Sequence, residues 1–468
     1  MPFIIPANTL ASGGYGVANS YRGGTDDHYL VRDKVTPTAV VDFTFSVWVK
    51  RSKIADKSCI VSSWGGDTNN TGSIFFTDGD KLTFEGQTGG SYSANGGVRK
   101  ITTQLFRDVS AWSHLVFQKD DGAFKIYHNG TEITAFDTNT QSSGTNIFNN
   151  ASGNTTVGNE NLAASDHDFQ GYIAEAVFID GQALAPTSFG EFDDSGIWKP
   201  IDVSGLTFGN NGFYLDFEDS SAMGNDATGG TDFTLQNVAA ADQSTDTCTN
   251  NFCTWNSLDS FYSSATFSEG NTTVVTPNAS LTYATATVGL SSGRWYFEVQ
   301  PFDPSDNNNI GIVDHVSTSN SSDAGELQFQ PRGWSYRQVG NVYNNNSSVS
   351  GSWDSYSAGV TIGVFVDLED NKIYWSRNGV MQNSGTGVTI TAAASTDTGF
   401  YFPAVGDYVT NDDTTFRTNF GGVSSFAISS GVTDDNGYGT FEYTPSVTVD
   451  STAKKFYAIC TKNLAEYG

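Results

Sequence analysis

The chain has 468 residues, enough for more than one domain with its own core. Its 33 Phe, 20 Tyr and 9 Trp supply more aromatic area than a disordered chain carries, and turn formers displace helix formers, with 39 Asp against 12 Glu and only 16 Leu. The 23 Lys and Arg against 51 Asp and Glu leave a net charge of −28, a field that repels phosphate backbones, so neither nucleic acid nor an anionic membrane surface is an expected partner.

Alternation with a period of two dominates from the first half onward. In Phe43–Arg51 the residues Phe43, Phe45, Val47 and Val49 share one face and Thr44, Ser46 and Lys50 the other, which predicts a half-buried strand. Residues 114–119 and 123–128, joined by Asp120-Asp121-Gly122 and closed by Asn129-Gly130, read as a hairpin. Tyr172 to Ile179 and Phe213 to Phe217 are further strands, and the polar run from Ser220 to Asn251 reads as the end of one sandwich and the connector to another. Alternation returns at Arg294 to Val299, where Trp295, Phe297 and Val299 share a face. It continues through residues 362–368 and 372–376, a second hairpin ended by Asn378-Gly379. The prediction is an all-β chain of two β-sandwich (jelly-roll) domains in tandem: 1–222, a connector 223–255, 256–425, and a segment 426–468 returning to the second sandwich. No stretch of 18 apolar residues occurs, and the N-terminus lacks a basic region followed by a long apolar one, so no membrane insertion and no secretory signal are expected.

The FTFSVWVKR strand, the WSHLVFQKDDGAFKIYHNG hairpin and the GYIAEAVFIDGQALAP stretch, in that order, resemble a laminin G-like or concanavalin A-like jelly roll. SSGRWYFEV, GVTIGVFVDLEDNKIYWSRNG, FYFPAVG and TNFGG resemble a SPRY-type sandwich. The pairing of these modules, with TNNFCTWNSLDS between them and YGTFEYTP and CTKNL near the end, is similar to virion proteins of tailed bacteriophages. That resemblance implies a virion-surface protein made in the bacterial host cytoplasm. It would be a homo-oligomer meeting other virion proteins, either as a tail-fibre or adhesin component that binds a host surface glycan or as a purely structural head-decoration or tail-assembly protein.

The candidate chemistry is sparse. A glycoside hydrolase of the concanavalin A-like fold needs two carboxylates facing one cleft. Asp216-Phe217-Glu218-Asp219 and Glu191-Phe192-Asp193-Asp194 both fail to complete the expected acid pattern, so no enzyme activity is expected. Gly289-Leu290-Ser291-Ser292-Gly293 matches a nucleophile elbow as a string, but a strand follows it where the elbow needs a helix. Cys59, Cys248, Cys253 and Cys460 are too few for a disulfide framework, and the segments around Cys253 and Cys460 are expected to pair as neighbouring strands. His114, beside Trp112, is expected to be a packed ring. Calcium would find oxygen ligands at Asp67 and Asn69 or at Asp166 and Asp168, although so Asp-rich a chain forms such clusters by chance. Sugar recognition needs aromatic faces beside polar loops. Trp64, Trp334, Tyr336, Tyr343, Trp353 and Tyr356 are the candidates, each open to the alternative of a strand residue buried in its sandwich.

Overall fold

A computed structural model describes residues 14–25, 27–160, 167–258, 265–276, 282–302, 308–315, 326–407 and 413–468. The described residues form two compact units, one from Gly14 to Thr249 and the other Asn250–Gly468. Both are β-sandwiches, and among the described residues one α-helix occurs, Thr461–Tyr467.

In the first unit one antiparallel sheet runs through Ala123–His128, Ser113–Asp120, Phe43–Arg51, Gly171–Asp180 and Ser20–Gly23. The other runs through Val98–Leu105, Lys81–Gln87, Thr71–Phe76, Ser58–Trp64, Asn154–Val157 and Tyr29–Asp33. Phe43, Phe45, Val47 and Val49 pack with Ile74, Phe84 and Phe117 in the core between the sheets. Asn129 and Gly130 both have positive φ, 47° and 77°, the two-residue turn that matches strand twist and pairs His128 with Thr131.

Two sequence expectations need correction here. Phe43–Arg51 is buried along its whole length, not on one face. The outer side of its sheet is covered by Phe189 and Val203 packed on Val177 and Tyr214, and by Val17 and Trp198 packed on Trp48 and Ala174. Residues 223–249 are not a connector. Met223 and Phe233 enter the core, Thr234–Gln236 adds an edge strand beside Tyr29–Asp33, and Gln243–Ser244 pairs with Ser20–Gly23. Polar composition hid this because edge strands expose half their residues.

The second unit stacks a sheet centred on Thr415–Asn419, Arg294–Pro301, Ile362–Asp367 and Lys372–Arg377 with one formed by Thr282–Thr285, Phe402–Asp407, Asn309–Val313, Trp334–Arg337 and Asn341–Asn344. Trp295, Phe297 and Val299 face the core, and Asn378 and Gly379, with φ of 47° and 77°, close the hairpin. The outer face is also covered: Phe441, Phe456 and Ala458 of the C-terminal segment pack on Tyr296, Phe365 and Tyr374. Glu298, fully buried on that face, accepts the backbone N–H groups of Glu442 (3.0 Å) and Tyr443 (2.8 Å), the Asn419 amide (3.0 Å) and the Tyr296 hydroxyl (2.9 Å). Phe252 and Cys460 form an antiparallel bridge, and Cys253 N donates to Ile459 O at 2.9 Å, so the two cysteine segments are neighbours as expected. The four cysteines are free thiols.

Candidate functional site

Burial divides the aromatic candidates. Trp334, Tyr336 and Tyr356 are corrections, because all three lie in the second core. Trp334 packs edge-on against Tyr401, the Tyr336 hydroxyl donates to Asp354 O, and the Tyr356 hydroxyl reaches Asn308 Oδ1 at 2.8 Å. A ring whose faces already meet protein cannot stack on a sugar. Trp353 is half-buried on Trp375 and Tyr336, and Tyr343 is half-buried under the Arg337 guanidinium, 5.2 Å from its ring. Trp64 is half-exposed at the end of Ser58–Trp64. The structure thus gathers no exposed aromatic platform from these six positions.

The metal candidates are spent locally. Asp67 Oδ1 takes the Asn69 N–H at 2.8 Å, and both its oxygens take the Asn70 amide, which closes a turn. Asp168 is buried, accepting from Asn159 Nδ2 (2.7 Å) and Asp27 N (3.1 Å); Asp166 lies outside the described residues. No group of three His, Cys, Asp or Glu among the described residues is placed to hold a metal. The acids of the two incomplete hydrolase patterns also cap turns: Asp193 Oδ1 accepts Ser195 and Ile197 N–H, and Asp219 Oδ1 accepts from Ser221.

A built concavity does exist in the first sandwich, where the chain crosses from Thr131–Glu132 in one sheet to Phe136–Gln141 in the other. Two adjoining depressions, of about 210 and 260 Å³, share Gln104 and His128. The strand Val98–Leu105 ends in exposed Gln104 and Leu105, and the chain then turns Phe106 inward, edge-on to His128 and 5.5 Å from Phe76. Gln104 Nε2 donates to His128 Nδ1 at 3.1 Å, which leaves His128 Nε2–H to donate to Ser113 Oγ at 3.2 Å. Burial lowers the His128 pKa, so the ring is neutral at pH 7.

Arg51 forms the wall. It continues the inward row Phe43, Phe45, Val47, Val49, is 3% exposed, and lies 4.5 Å over the Phe76 ring. Its Nη1 donates to Asp80 Oδ1 (3.1 Å) and Phe106 O (2.5 Å). Asp80 Oδ2 accepts Arg107 Nε at 2.9 Å, and the Arg107 side chain is 58% exposed at the rim. Phe76 and Phe106 are buried beneath the rim, so the surface a small polar molecule would meet is that of Gln104, Leu105, Arg107 and His128. Sequence reading missed these residues; the available signal was an arginine falling in register with an apolar inward row.

Residues 23–187 match the concanavalin A-like lectin/glucanases superfamily and residues 294–422 match the SPRY domain. The chain therefore carries a concanavalin A-like, laminin G-like domain followed by a SPRY domain. No curated protein matches it. Among solved structures it is similar to domains LG4-5 of the mouse laminin α1 chain (9% identity, 89% of this chain and 92% of that one, TM-score 0.32). The SPRY domain of human HERC1 shares 16% identity over 33% of this chain and 89% of its own, with a TM-score of 0.26. A heptameric SAP-like pentraxin of Limulus polyphemus shares 18% identity over 37% and 80%, with a TM-score of 0.28.

Proposed function

We propose that this chain is a non-enzymatic binding protein whose first sandwich takes a saccharide in the depressions around Gln104 and His128. In this reading it serves on the surface of a tailed-bacteriophage virion as a tail-fibre or adhesin component facing a host glycan. The observation that carries the binding reading is the paired concavity, rimmed by Gln104, Arg107 and His128, in a concanavalin A-like domain. Its virion setting is supported by the order of modules and by the flanking TNNFCTW and CTKNL motifs. A rigid pair of sheets holding a side-chain-lined hollow suits recognition, since little ordering entropy is lost on binding.

The test is a glycan panel probed with the full chain, with and without calcium. Binding to a subset of glycans, lost in Gln104→Ala and unaffected by chelator, is the expected result. Silence across the panel would remove the adhesin reading. It would leave the structural one, which is favoured by Phe192 (56% exposed) and Ile197 (44%) on the hairpin Gly190–Phe192/Trp198–Pro200.

A further inference from the structure

Lys34 stands just past the strand Tyr29–Asp33, and among the described residues no carboxylate pairs with its amine. Nζ donates instead to three neutral acceptors, Ser63 Oγ (2.7 Å), Ile147 O (2.7 Å) and Asn150 Oδ1 (2.9 Å). Two other lysines with enclosed side chains are held differently: Lys50 pairs with Asp246 at 2.8 Å and Lys454 with Asp367 at 2.7 Å. Burial without a counter-charge favours the neutral amine, and the Lys34 pKa falls from 10.5 to about 7. A neutral lysine amine is a nucleophile. After losing a proton it keeps two N–H groups for the buried Ser63 and Ile147, and its lone pair is left for the Asn150 carboxamide.

The carboxamide is held as well. Asn150 closes the short turn Ile147–Asn149, and its Oδ1 accepts Ser152 N–H at 3.1 Å in addition to Lys34. That backbone donor remains on the oxygen as negative charge develops there. Asn150 is half-buried, so a leaving group has solvent beside it.

We propose that Lys34 and Asn150 condense into an intramolecular isopeptide bond. Nζ attacks Asn150 Cγ, the Cγ–Nδ2 bond breaks, and Nδ2 leaves as ammonia with one proton taken from Nζ. A secondary amide then joins the two side chains, and the atoms balance without an oxidant or a cofactor. With no carboxylate paired to the amine to relay the proton, the reaction is a slow maturation of the folded chain. The link closes residues 34 to 150 into a covalent loop that contains the strands from Phe43–Arg51 through Phe136–Gln141, and so restricts the unfolded chain.

The experiment is peptide mapping of the full chain by tandem mass spectrometry, on fresh protein and after prolonged warming in mildly alkaline buffer. The expected species is a branched peptide joining the segments around Lys34 and Asn150, lighter than their sum by one ammonia, with a fraction that rises on warming. Asn-Gly pairs such as Asn129-Gly130 also lose ammonia, by cyclising to a succinimide, but they yield linear peptides. Lys34→Arg and Asn150→Ala are each expected to abolish the branch. Only linear peptides after warming would overturn the proposal, and so would a branch that survives either substitution. The map of the unsubstituted chain decides the matter even if a variant fails to fold.

Discussion

Glu298 and His114 show how buried polar groups are held here. Glu298 collects four donors, and Glu298→Ala strands all of them in the interior. The expected loss is about 3 kcal/mol, read from chemical unfolding of the full chain, with faster proteolysis of the C-terminal segment. Burial raises the Glu298 carboxyl from 4.5 to about 7 against those hydrogen bonds, and burial raises Glu175, held by Tyr214 and Tyr15, to about 7 as well. A folded carboxyl above its unfolded pKa binds the extra proton in the native state. Its stabilising share is therefore complete below about 4.5 and lost as pH rises through about 7. Glu298→Gln flattens that fall in the second unit; an unchanged slope would refute the assignment. His114 works in the opposite direction. Its Nδ1 accepts from Trp198 Nε1 at 3.0 Å, so Nε2–H faces Ser46 Oγ at 2.8 Å, and burial holds its pKa at about 3. Its neutral form stabilises the fold at neutral pH and that share fades as pH falls below 6.5. The packed-ring expectation for His114 was legible from its strand setting; the Glu298 clamp was not, because three of its four partners, Asn419, Glu442 and Tyr443, lie more than 120 residues away.

At the scale of elements, the edge strands drawn from residues 223–249 make a clear prediction. Phe233 is 4% exposed, stacked edge-on to Phe213, and lies 4.9 Å under the Arg32 guanidinium, whose Nη1 also meets Asp226 at 3.0 Å. Phe233→Ala is expected to cost about 3–5 kcal/mol by calorimetry or urea titration, where a residue in a solvated linker would cost almost nothing. A chain ending at Thr249 is expected to give a sharp melting transition, and one ending at Ala222 a broadened or absent one. The C-terminal segment is held in the same distributed way. Asp434 Oδ2 accepts Ala458 N at 3.0 Å and Asn463 Nδ2 at 2.7 Å, while Asn251 and Thr461 exchange hydrogen bonds. TNNFCTW and CTKNL are thereby two halves of one clasp.

For the whole molecule, the surplus of acids is the governing quantity. With 51 acidic and 23 basic side chains, self-repulsion opposes the compact state, and added salt screens it. The melting temperature is expected to rise between about 0.01 and 0.15 M salt, where the Debye length falls from about 30 to 8 Å. A salt-independent melt would show that the charges are already paired, as Lys50 and Asp246 are at 2.8 Å with 1% exposure each.

Two sandwiches, their core rows and their Asn-Gly turns followed from the amino-acid order alone, because alternation and positive-φ turn residues act over a few positions. Tertiary structure alone decided that the outer faces of the sheets are covered, that residues 223–249 belong to the first core, and that Trp334, Tyr336 and Tyr356 are enclosed. It also decided that Arg51, Gln104 and His128 line one hollow. Each of these depends on which distant segment lies against a strand, and the period of a strand is the same whether its second face meets water or another part of the chain.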